Sequence, residues 1–198
     1  MYLSKSKYCR LWQCAKQLWL DTNHPELQTA DPAREERMAV GNVIGDLAMG
    51  LFGSFTEVTV LKENGRPDIT AMIEKTKDCV KAGTENICEA SFSFEGLYCA
   101  VDILRKQDGG YAIYEVKSAT HEAEIYGVDI AYQKYVLEKC GVPITGTFGV
   151  YQFRLRAGRA ARYYAVVQNC GHGGVGRSGN AADSLTAKAG RENAVIGG

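Results

Sequence analysis

Three polar residues near the middle of the chain are of types that could do phosphate chemistry together: Asp102, Glu115 and Lys117. Carboxylate oxygens are ligands that suit Mg²⁺ and Mn²⁺. A lysine beside such ions can orient a water or help to deprotonate it, and it can stabilise charge on a phosphate. The three residues therefore indicate a metal-dependent phosphodiesterase site, provided that the fold brings them together.

Two predicted β-strands position these residues. Asp102 lies in an apolar run at 97–106, and Glu115 and Lys117 lie in a second run at 111–118. The Asp-Gly-Gly sequence at 108–110 predicts a hairpin between the runs. Strand alternation then puts Glu115 and Lys117 on one face, with Asp102 on the neighbouring strand. The alternative is that this spacing arose by chance and that the side chains are simply solvated.

Short motifs surround these residues in a definite order along roughly the first 150 positions. They are a Ser-Lys-Ser, Gln-Cys and Leu-Trp pattern within 3–20, Gly-Asn-Val-Ile-Gly-Asp-Leu at 41–47, Glu-Ala-Ser-Phe at 89–92, Val-Asp-Ile-Leu at 101–104, Glu-Val-Lys-Ser at 115–118 and Asp-Ile-Ala-Tyr-Gln at 129–133. This ordered set resembles the PD-(D/E)XK nucleases, specifically the RecB-like exonucleases that include the CRISPR adaptation exonucleases.

The resemblance implies a Mg²⁺- or Mn²⁺-dependent deoxyribonuclease, expected to be an exonuclease. Asp102, Glu115 and the carbonyl of Val116 would hold one or two ions, and Lys117 would position the attacking water. Glu89 is either a further acid near the metals or an ordinary carboxylate on the strand face.

The resemblance also implies a DNA-contacting residue on the helix that follows the Glu-x-Lys strand. Gln133 occupies the place of the glutamine in a Gln-x-x-x-Tyr motif, but Leu137 stands where the tyrosine belongs, and tyrosines occur instead at Tyr132 and Tyr135. The alternative for Gln133 is a polar helix residue that faces water. Lys5 and Lys7 lie in a locally basic N-terminal segment and are further candidates for DNA binding.

One position departs from the family pattern. Related nucleases often carry a metal-binding histidine in Gly-x-x-x-His on the second helix, and here Gly41 is followed by Gly45. Gly45 has no side chain to bind a metal. We therefore expect either that Gly41 and Gly45 let this helix pack closely on the sheet, or that Asp46 substitutes through a water. The three histidines, His24, His121 and His172, do not fit this position.

Charge and cysteine content narrow the class of protein. The net charge is zero, so the protein lacks the overall positive charge that would indicate a nucleic-acid partner. No apolar run reaches membrane-spanning length and no signal peptide is evident, which predicts a cytoplasmic protein without a membrane partner. The seven cysteines lack a Cys-x-x-Cys motif, and burial is predicted for Cys79, Cys88, Cys99 and Cys140.

Only the resemblance to the RecB-like exonucleases makes Cys14 a candidate site residue. Several RecB-like exonucleases bind a [4Fe–4S] cluster through one N-terminal and three C-terminal cysteines. Cys14 matches the first, but the C-terminal three are missing from this chain. Either the cluster is absent, or its other ligands lie in sequence outside this chain.

The pattern of elements predicts one domain over residues 1–153. Helices are expected at 4–20, 31–53, 68–82 and 126–139, and strands at 55–60, 86–94, 97–106, 111–118 and 143–152. The fold class is mixed α/β, with a central mixed sheet flanked by helices. The resemblance implies a restriction-endonuclease-like PD-(D/E)XK core with extra N-terminal helices.

The composition changes in residues 154–198, which are rich in Gly, Ala and Arg. One interpretation is a disordered basic tail that binds nucleic acid. The preferred interpretation is a frameshift near Tyr151, because suitable codons read one base later encode a segment with helical periodicity that resembles the family's continuation. The last residues would then be non-native, and the cysteine triad would be lost with them.

Three functions follow from these features. The leading hypothesis is a metal-dependent DNA exonuclease. The second is a nuclease-derived DNA-binding module with little or no activity, which the missing histidine and the neutral charge favour. The third is a protein-interaction domain that uses Trp12 and Trp19.

Overall fold

The computed structural model describes residues 2–29, 31–119, 123–157 and 160–169, and from residue 152 onward it describes the backbone alone. Its helices are α1 (Lys5–Gln13), α2 (Ala15–Asn23), α3 (Pro32–Met49), α4 (Ile69–Ala82) and α5 (Glu124–Lys139). Its strands are β1 (Leu3–Ser4), β2 (Thr56–Glu57), β3 (Asn86–Phe94), β4 (Leu97–Gln107), β5 (Gly110–Lys117), β6 (Ile144–Ala157) and β7 (Ala160–Asn169).

All of these strands belong to one mixed sheet in the order β2-β3-β4-β5-β6-β7, with β1 beside β4. The pairs β3–β4, β4–β5 and β6–β7 are antiparallel, whereas β2–β3, β5–β6 and β1–β4 are parallel. Helix α5 makes the crossover between the parallel strands β5 and β6, since such strands cannot be joined by a tight turn. The predicted mixed α/β class is confirmed.

Local sequence signals fix several element ends. The Asp68 side chain accepts a hydrogen bond from the Ala71 N–H and caps α4, and Gly83 ends that helix with a φ of 70°. The Ser4 side chain caps α1 by accepting from the Lys7 N–H. Gly109, with a φ of 82°, lies in the hairpin between β4 and β5, as the Asp-Gly sequence predicted.

Two apolar cores lie on opposite faces of the sheet. The larger core includes Tyr132, Val136 and Leu137 of α5, with Tyr8 of α1 packed against it. The smaller core is covered by Met49 at the end of α3. Helices therefore flank the sheet on both sides, and α1 and α5 share one face.

The pleat of β3 and β4 changes phase partway along both strands. Cys88 belongs to the smaller core and Ala90 to the larger one, although simple alternation would put both on one face. On β4, Val101 and Ile103 are likewise two apart and lie in different cores. The reversal falls at the residue between each pair.

Those two intervening residues are Glu89 and Asp102. The pairs on either side keep one register, so Glu89 lies opposite Asp102. The φ of Glu89 is 58°, in the left-handed region that residues other than glycine seldom occupy. Conformations of this kind cost energy and cluster at functional sites.

Some predicted element bounds were wrong. The helix predicted to run to about residue 20 is broken at Cys14, whose φ and ψ of −162° and 104° are extended, so that α2 turns back and Asp21 pairs with Arg10. The strand predicted at 55–60 pairs with β3 only at Thr56 and Glu57.

The composition change at residue 154 does not end the sheet. Strand β6 continues through Ala157, and β7 pairs with it in antiparallel fashion. Cys170, His172 and the rest of the Gly- and Ala-rich segment lie outside the described residues, and so does His121. The frameshift hypothesis stays a prediction.

Candidate active site

The site forms where β4 and β5 separate. Their hydrogen-bonded pairing ends at Ile103 and Tyr114, and the same register places Asp102 opposite Glu115. The Val116 N–H donates to Asp102 Oδ2 at 2.7 Å, so a side-chain carboxylate takes the place of a main-chain acceptor. Beyond this point the edge of β4 pairs with β1 at Leu97 instead. The gap between β5 and β1 opens directly beside Asp102 and Glu115.

Glu115 lies at the centre of an ionic cluster and is only 2% exposed. Lys5 Nζ lies 2.8 Å from its Oε1 and 2.9 Å from its Oε2. Lys117 Nζ donates to Oε1 at 2.7 Å, and Gln133 Nε2 donates to Oε2 at 2.7 Å. The predicted proximity of Glu115 and Lys117 is therefore correct.

Helix α5 adds a third acidic side chain, Asp129, to which the sequence analysis gave no role in the site. Asp129 accepts from Lys117 Nζ at 2.6 Å and from Gln133 Nε2 at 3.1 Å, and its Oδ1 lies 3.7 Å from Lys5 Nζ. Asp129 and Gln133 are four residues apart, which puts them on one face of the helix. That four-residue spacing between Asp129 and Gln133 is the sequence signal that could have identified Asp129. Gln133 is fully buried, so its interpretation as a water-facing residue was wrong.

The two lysines govern the ionisation of Glu115. Burial by itself opposes the charged form, but Lys5 and Lys117 outweigh it and lower the pKa of Glu115 to about 2. Burial likewise favours the neutral amine of each lysine, yet the facing carboxylates raise the pKa of Lys5 and of Lys117 well above the ordinary value. Glu115 is therefore a carboxylate, and both lysines are ammonium ions.

For Asp102 and Glu89, burial outweighs the nearby positive charge, and their pKa values are raised. Burial, followed by the charge of Glu115, raises the pKa of Asp102 to about 7, although Lys5 and the Val116 N–H favour its charged form. Burial also raises the pKa of Glu89, with Lys5 acting against it. The charges of Glu115, Glu57 and Asp46 add to this rise. Several carboxyl groups are thus crowded around Lys5, and burial favours the neutral form of two of them.

Other predicted residues lie apart from this cluster. Tyr135 is 49% exposed, and its ring centroid lies 5.6 Å from Lys139 Nζ. Lys7 is half-buried in the first turn of α1. Cys14 is exposed at the break between α1 and α2.

Two structural interpretations from the sequence need correction. A Cβ at Gly45 would meet no atom within 4 Å among the described residues, so close packing does not explain that glycine. Burial was predicted for Cys140, but it is exposed, because it lies at the C-terminal end of α5, where its thiol donates to the Ser93 carbonyl. Cys88 and Cys99 are buried as predicted, and Cys79 is half-buried.

The oxygen atoms of the cluster are of the kind that a hard cation binds. All the acceptors are oxygens, as Mg²⁺ and Mn²⁺ prefer, and the buried Gln133 Oε1 accepts no hydrogen bond from the described residues. In the described ranges, however, no three His, Cys, Asp or Glu side chains are arranged as a ready metal site. The chemistry of the residues suits such an ion, whereas their present arrangement satisfies Glu115 with ammonium groups.

An open cavity of about 330 Å³ adjoins the cluster. The residues that line it include Lys5, Lys117, Asp129, Ser6, Arg10 and Tyr126. Lys117 Nζ lies 5.2 Å from the centroid of the Tyr126 ring. Solvent and small anions can therefore approach both lysines from this side.

The fold and the site define a mixed α/β protein with a buried ionic cluster where one edge of its sheet divides. No protein-family model matches the chain, and no curated protein matches it either. In the described part of the chain no helix is long and apolar enough to cross a membrane. Membership of the PD-(D/E)XK nucleases and a DNA partner stay predictions.

Proposed function

We propose that the chain is a metal-dependent deoxyribonuclease with a PD-(D/E)XK core, acting as an exonuclease. The observation that supports this most is the position of Asp102 opposite Glu115 at the divergence of β4 and β5, with Lys117 on the same strand. The antiparallel β3-β4-β5 meander, the α5 crossover and the parallel strand β6 agree with the core that the motifs implied. The left-handed backbone of Glu89 adds strain at the same place.

Asp102, Glu115 and the Val116 carbonyl would hold Mg²⁺ or Mn²⁺, with Glu89 nearby. When bound, the ion supplies Lewis-acid stabilisation of charge on the scissile phosphate and the leaving oxygen. The chain's own residues provide the positions of these groups. The Val116 N–H fixes Asp102 by a 2.7 Å hydrogen bond, and Gln133 fixes Glu115 by another of the same length.

The role of Lys117 follows from its protonation. The carboxylates of Glu115 and Asp129 raise its pKa, after outweighing burial, so the ammonium form persists at neutral pH. In the proposed mechanism the Lys117 ammonium would donate to the attacking water and stabilise developing negative charge. Its contact with Asp129 at 2.6 Å limits the positions of the ammonium group.

A cleavage assay tests the proposal directly. Linear and circular DNA, each single- and double-stranded, are incubated with the protein in Mn²⁺ or in EDTA and resolved on gels. We expect linear DNA to shorten in Mn²⁺ only, while circular DNA persists. Cleavage of circles would contradict the exonuclease assignment, and intact DNA under all conditions would contradict the nuclease assignment.

Lys117→Met provides the corresponding test of the site. Loss of one preorganised electrostatic catalyst should lower the cleavage rate by about a hundredfold or more, with DNA affinity largely kept. Lys75→Met is the matched control, because Lys75 is an exposed lysine on α4. A Lys117→Met protein that cuts at the wild-type rate would refute this role.

The second candidate function is a DNA-binding module without cleavage. It is favoured by the ammonium groups that satisfy Glu115 and by the missing three-residue metal site within the described ranges. Metal-independent retardation of DNA on native gels, with no shortening in Mn²⁺, would support this function over the nuclease.

A further inference from the structure

The Glu115 carboxylate is saturated with donors. It makes four contacts of 2.7–2.9 Å with three side chains, Lys5, Lys117 and Gln133. A carboxylate offers about four lone-pair sites. A divalent ion can therefore coordinate Glu115 only if one of these donors leaves.

Lys5 is the donor with the weakest second attachment. Lys117 and Gln133 are each also bonded to Asp129, at 2.6 Å and 3.1 Å, and both come from elements packed in the core. The second contact of Lys5, also to Asp129, is 3.7 Å long, which is the longest of the three. Helix α1, which carries Lys5, has no buried residue.

The surroundings of Lys5 offer it a second position. Its side chain lines the cavity of about 330 Å³ together with Ser6, Arg10 and Tyr126. A lysine has a flexible four-carbon stem and a well-hydrated ammonium group, so it can turn toward water at low cost. The backbone of α1 need not move for Lys5 to leave Glu115.

We propose that the Lys5 ammonium is a tethered cation that occupies the position of a divalent ion at Glu115, so that Lys5 and the ion exclude each other. This inference rests on the proposed function and adds a regulatory contact to the same site. Without the ion, Lys5 neutralises the crowded carboxylates and keeps the cluster stable. With the ion, the Lys5 ammonium turns away from Glu115 into the cavity that its side chain already lines.

Competition of this kind has a specific thermodynamic consequence. The apparent metal affinity equals the intrinsic affinity multiplied by the fraction of molecules in which Lys5 has left Glu115. Because that fraction is below one, Lys5 weakens metal binding. Lys5→Met removes the competitor and leaves the carboxylates with less compensation. The variant should therefore be less stable than the wild type without metal, bind Mn²⁺ about tenfold or more tightly, and regain stability when Mn²⁺ is added.

The experiment is Mn²⁺ titration by calorimetry, without DNA, into EDTA-stripped wild type, Lys5→Met and Lys7→Met, with a melting curve for each. Lys7 is the matched control, since it lies in the same turn and makes no ion pair with the described residues. Tighter binding by Lys5→Met alone is expected. Equal or weaker binding by Lys5→Met would overturn the competition and leave a metal-dependent nuclease standing. No Mn²⁺ binding by any of the proteins would overturn the metal site and the competition together.

A second measurement uses only the wild-type protein, so its result does not depend on whether a variant folds. Acetic anhydride acetylates the neutral amine of accessible lysines, so an ion pair that holds the ammonium form slows labelling, and mass spectrometry measures the extent at each lysine. Labelling of Lys5 in the wild-type protein should rise when Mn²⁺ is added, while that of Lys7 stays constant. Labelling of Lys5 that is unchanged or lower in Mn²⁺ would overturn the proposal.

Discussion

Asp102 and Glu115 show how position decides the behaviour of one functional group. The two carboxylates lie opposite each other, yet the pKa of Asp102 is raised to about 7 and that of Glu115 is lowered to about 2. Burial raises the pKa of both. The difference arises because Lys5 and Lys117 contact Glu115 directly, whereas Asp102 receives a neutral N–H from Val116.

The raised pKa of Asp102 predicts a pH-dependent cost to stability. Its pKa rises from 3.8 to about 7 on folding. Within that window the native protein keeps a proton that the unfolded chain has lost, so stability falls as the pH rises. Asp102→Asn removes this loss and keeps an oxygen for the Val116 N–H. The melting temperature of the variant minus that of the wild type should therefore be higher at about pH 8 than at about pH 5. The increase should be about 2–4 °C for each kcal/mol of stability that the wild type loses over this range.

Thermal melts at both pH values check this, with Asp78→Asn as control. Asp78 is an exposed carboxylate on α4, so its variant should track the wild type. A variant of Asp102 that becomes less stable relative to the wild type as pH rises would show that Asp102 is held charged by its surroundings.

Helices α3 and α4 use glycine for different purposes. Gly45 lies inside α3, and a Cβ there would meet nothing within 4 Å among the described residues. Gly83 ends α4 with a φ of 70°, and a Cβ there would lie 2.6 Å from Lys106 Nζ. The first glycine weakens its helix, and the second is needed for its turn.

Alanine at the two positions should therefore act in opposite directions. Gly45→Ala should raise the free energy of unfolding by about 0.5–1 kcal/mol, because alanine loses less conformational freedom in a helix. Gly83→Ala should lower it by about 1–2 kcal/mol, because the left-handed conformation clashes with a Cβ. Chemical denaturation measures both. A destabilised Gly45→Ala protein would restore the view that α3 packs closely at Gly45.

Helix α4 is also fastened to β3 by one buried hydroxyl. Thr76 Oγ1 donates to the Met72 carbonyl at 2.8 Å and accepts from the Ser91 N–H at 2.9 Å. Thr76→Val keeps the shape and leaves the buried Ser91 N–H without its acceptor, which should cost about 1–3 kcal/mol. Thr22→Val is the control, because the exposed Thr22 makes the same bond within its own helix. Equal losses in denaturant melts of the two variants would mean that the Ser91 bond contributes nothing.

At the scale of the molecule, exposed apolar side chains concentrate at one end of the chain. Every large apolar residue that is markedly exposed in the described structure, apart from Tyr135, lies between Tyr2 and Leu61. Trp12 and Trp19 are 60% and 56% exposed. The net charge near neutral pH is zero, which gives little repulsion between copies. The third hypothesis, a protein-interaction domain, requires that Trp12 and Trp19 be exposed, as they are.

Self-association near pH 7 is the expected result of this combination. Light scattering coupled to gel filtration should show a mass that increases with protein concentration. Replacement of Trp12 and Trp19 by glutamine should reduce that increase, whereas Tyr135→Gln should leave it unchanged. Identical mass profiles for the wild type and the double variant would exclude these tryptophans from the contact.

The sequence by itself determined most of the central elements and their order, but not the helix break at Cys14 or the strands β1 and β7. Local signals were sufficient for the β3–β4–β5 meander, since alternation, the Asp108-Gly109 turn and the caps of α4 act over a few residues. They also placed Glu115 beside Lys117, because two residues on a strand share a face. The sequence determined the mixed α/β class for the same reason.

Only the tertiary structure decided what Glu115 contacts across the molecule. Lys5 reaches it from 110 residues away, because β1 pairs with β4 in the gap that β5 leaves. The phase reversal at Glu89 and Asp102 breaks the alternation on which sequence reasoning depends. Burial of Gln133 depends on how α5 packs on the sheet. Such long-range contacts leave no periodic signal in the chain, because they arise from the packing of whole elements and not from neighbouring residues.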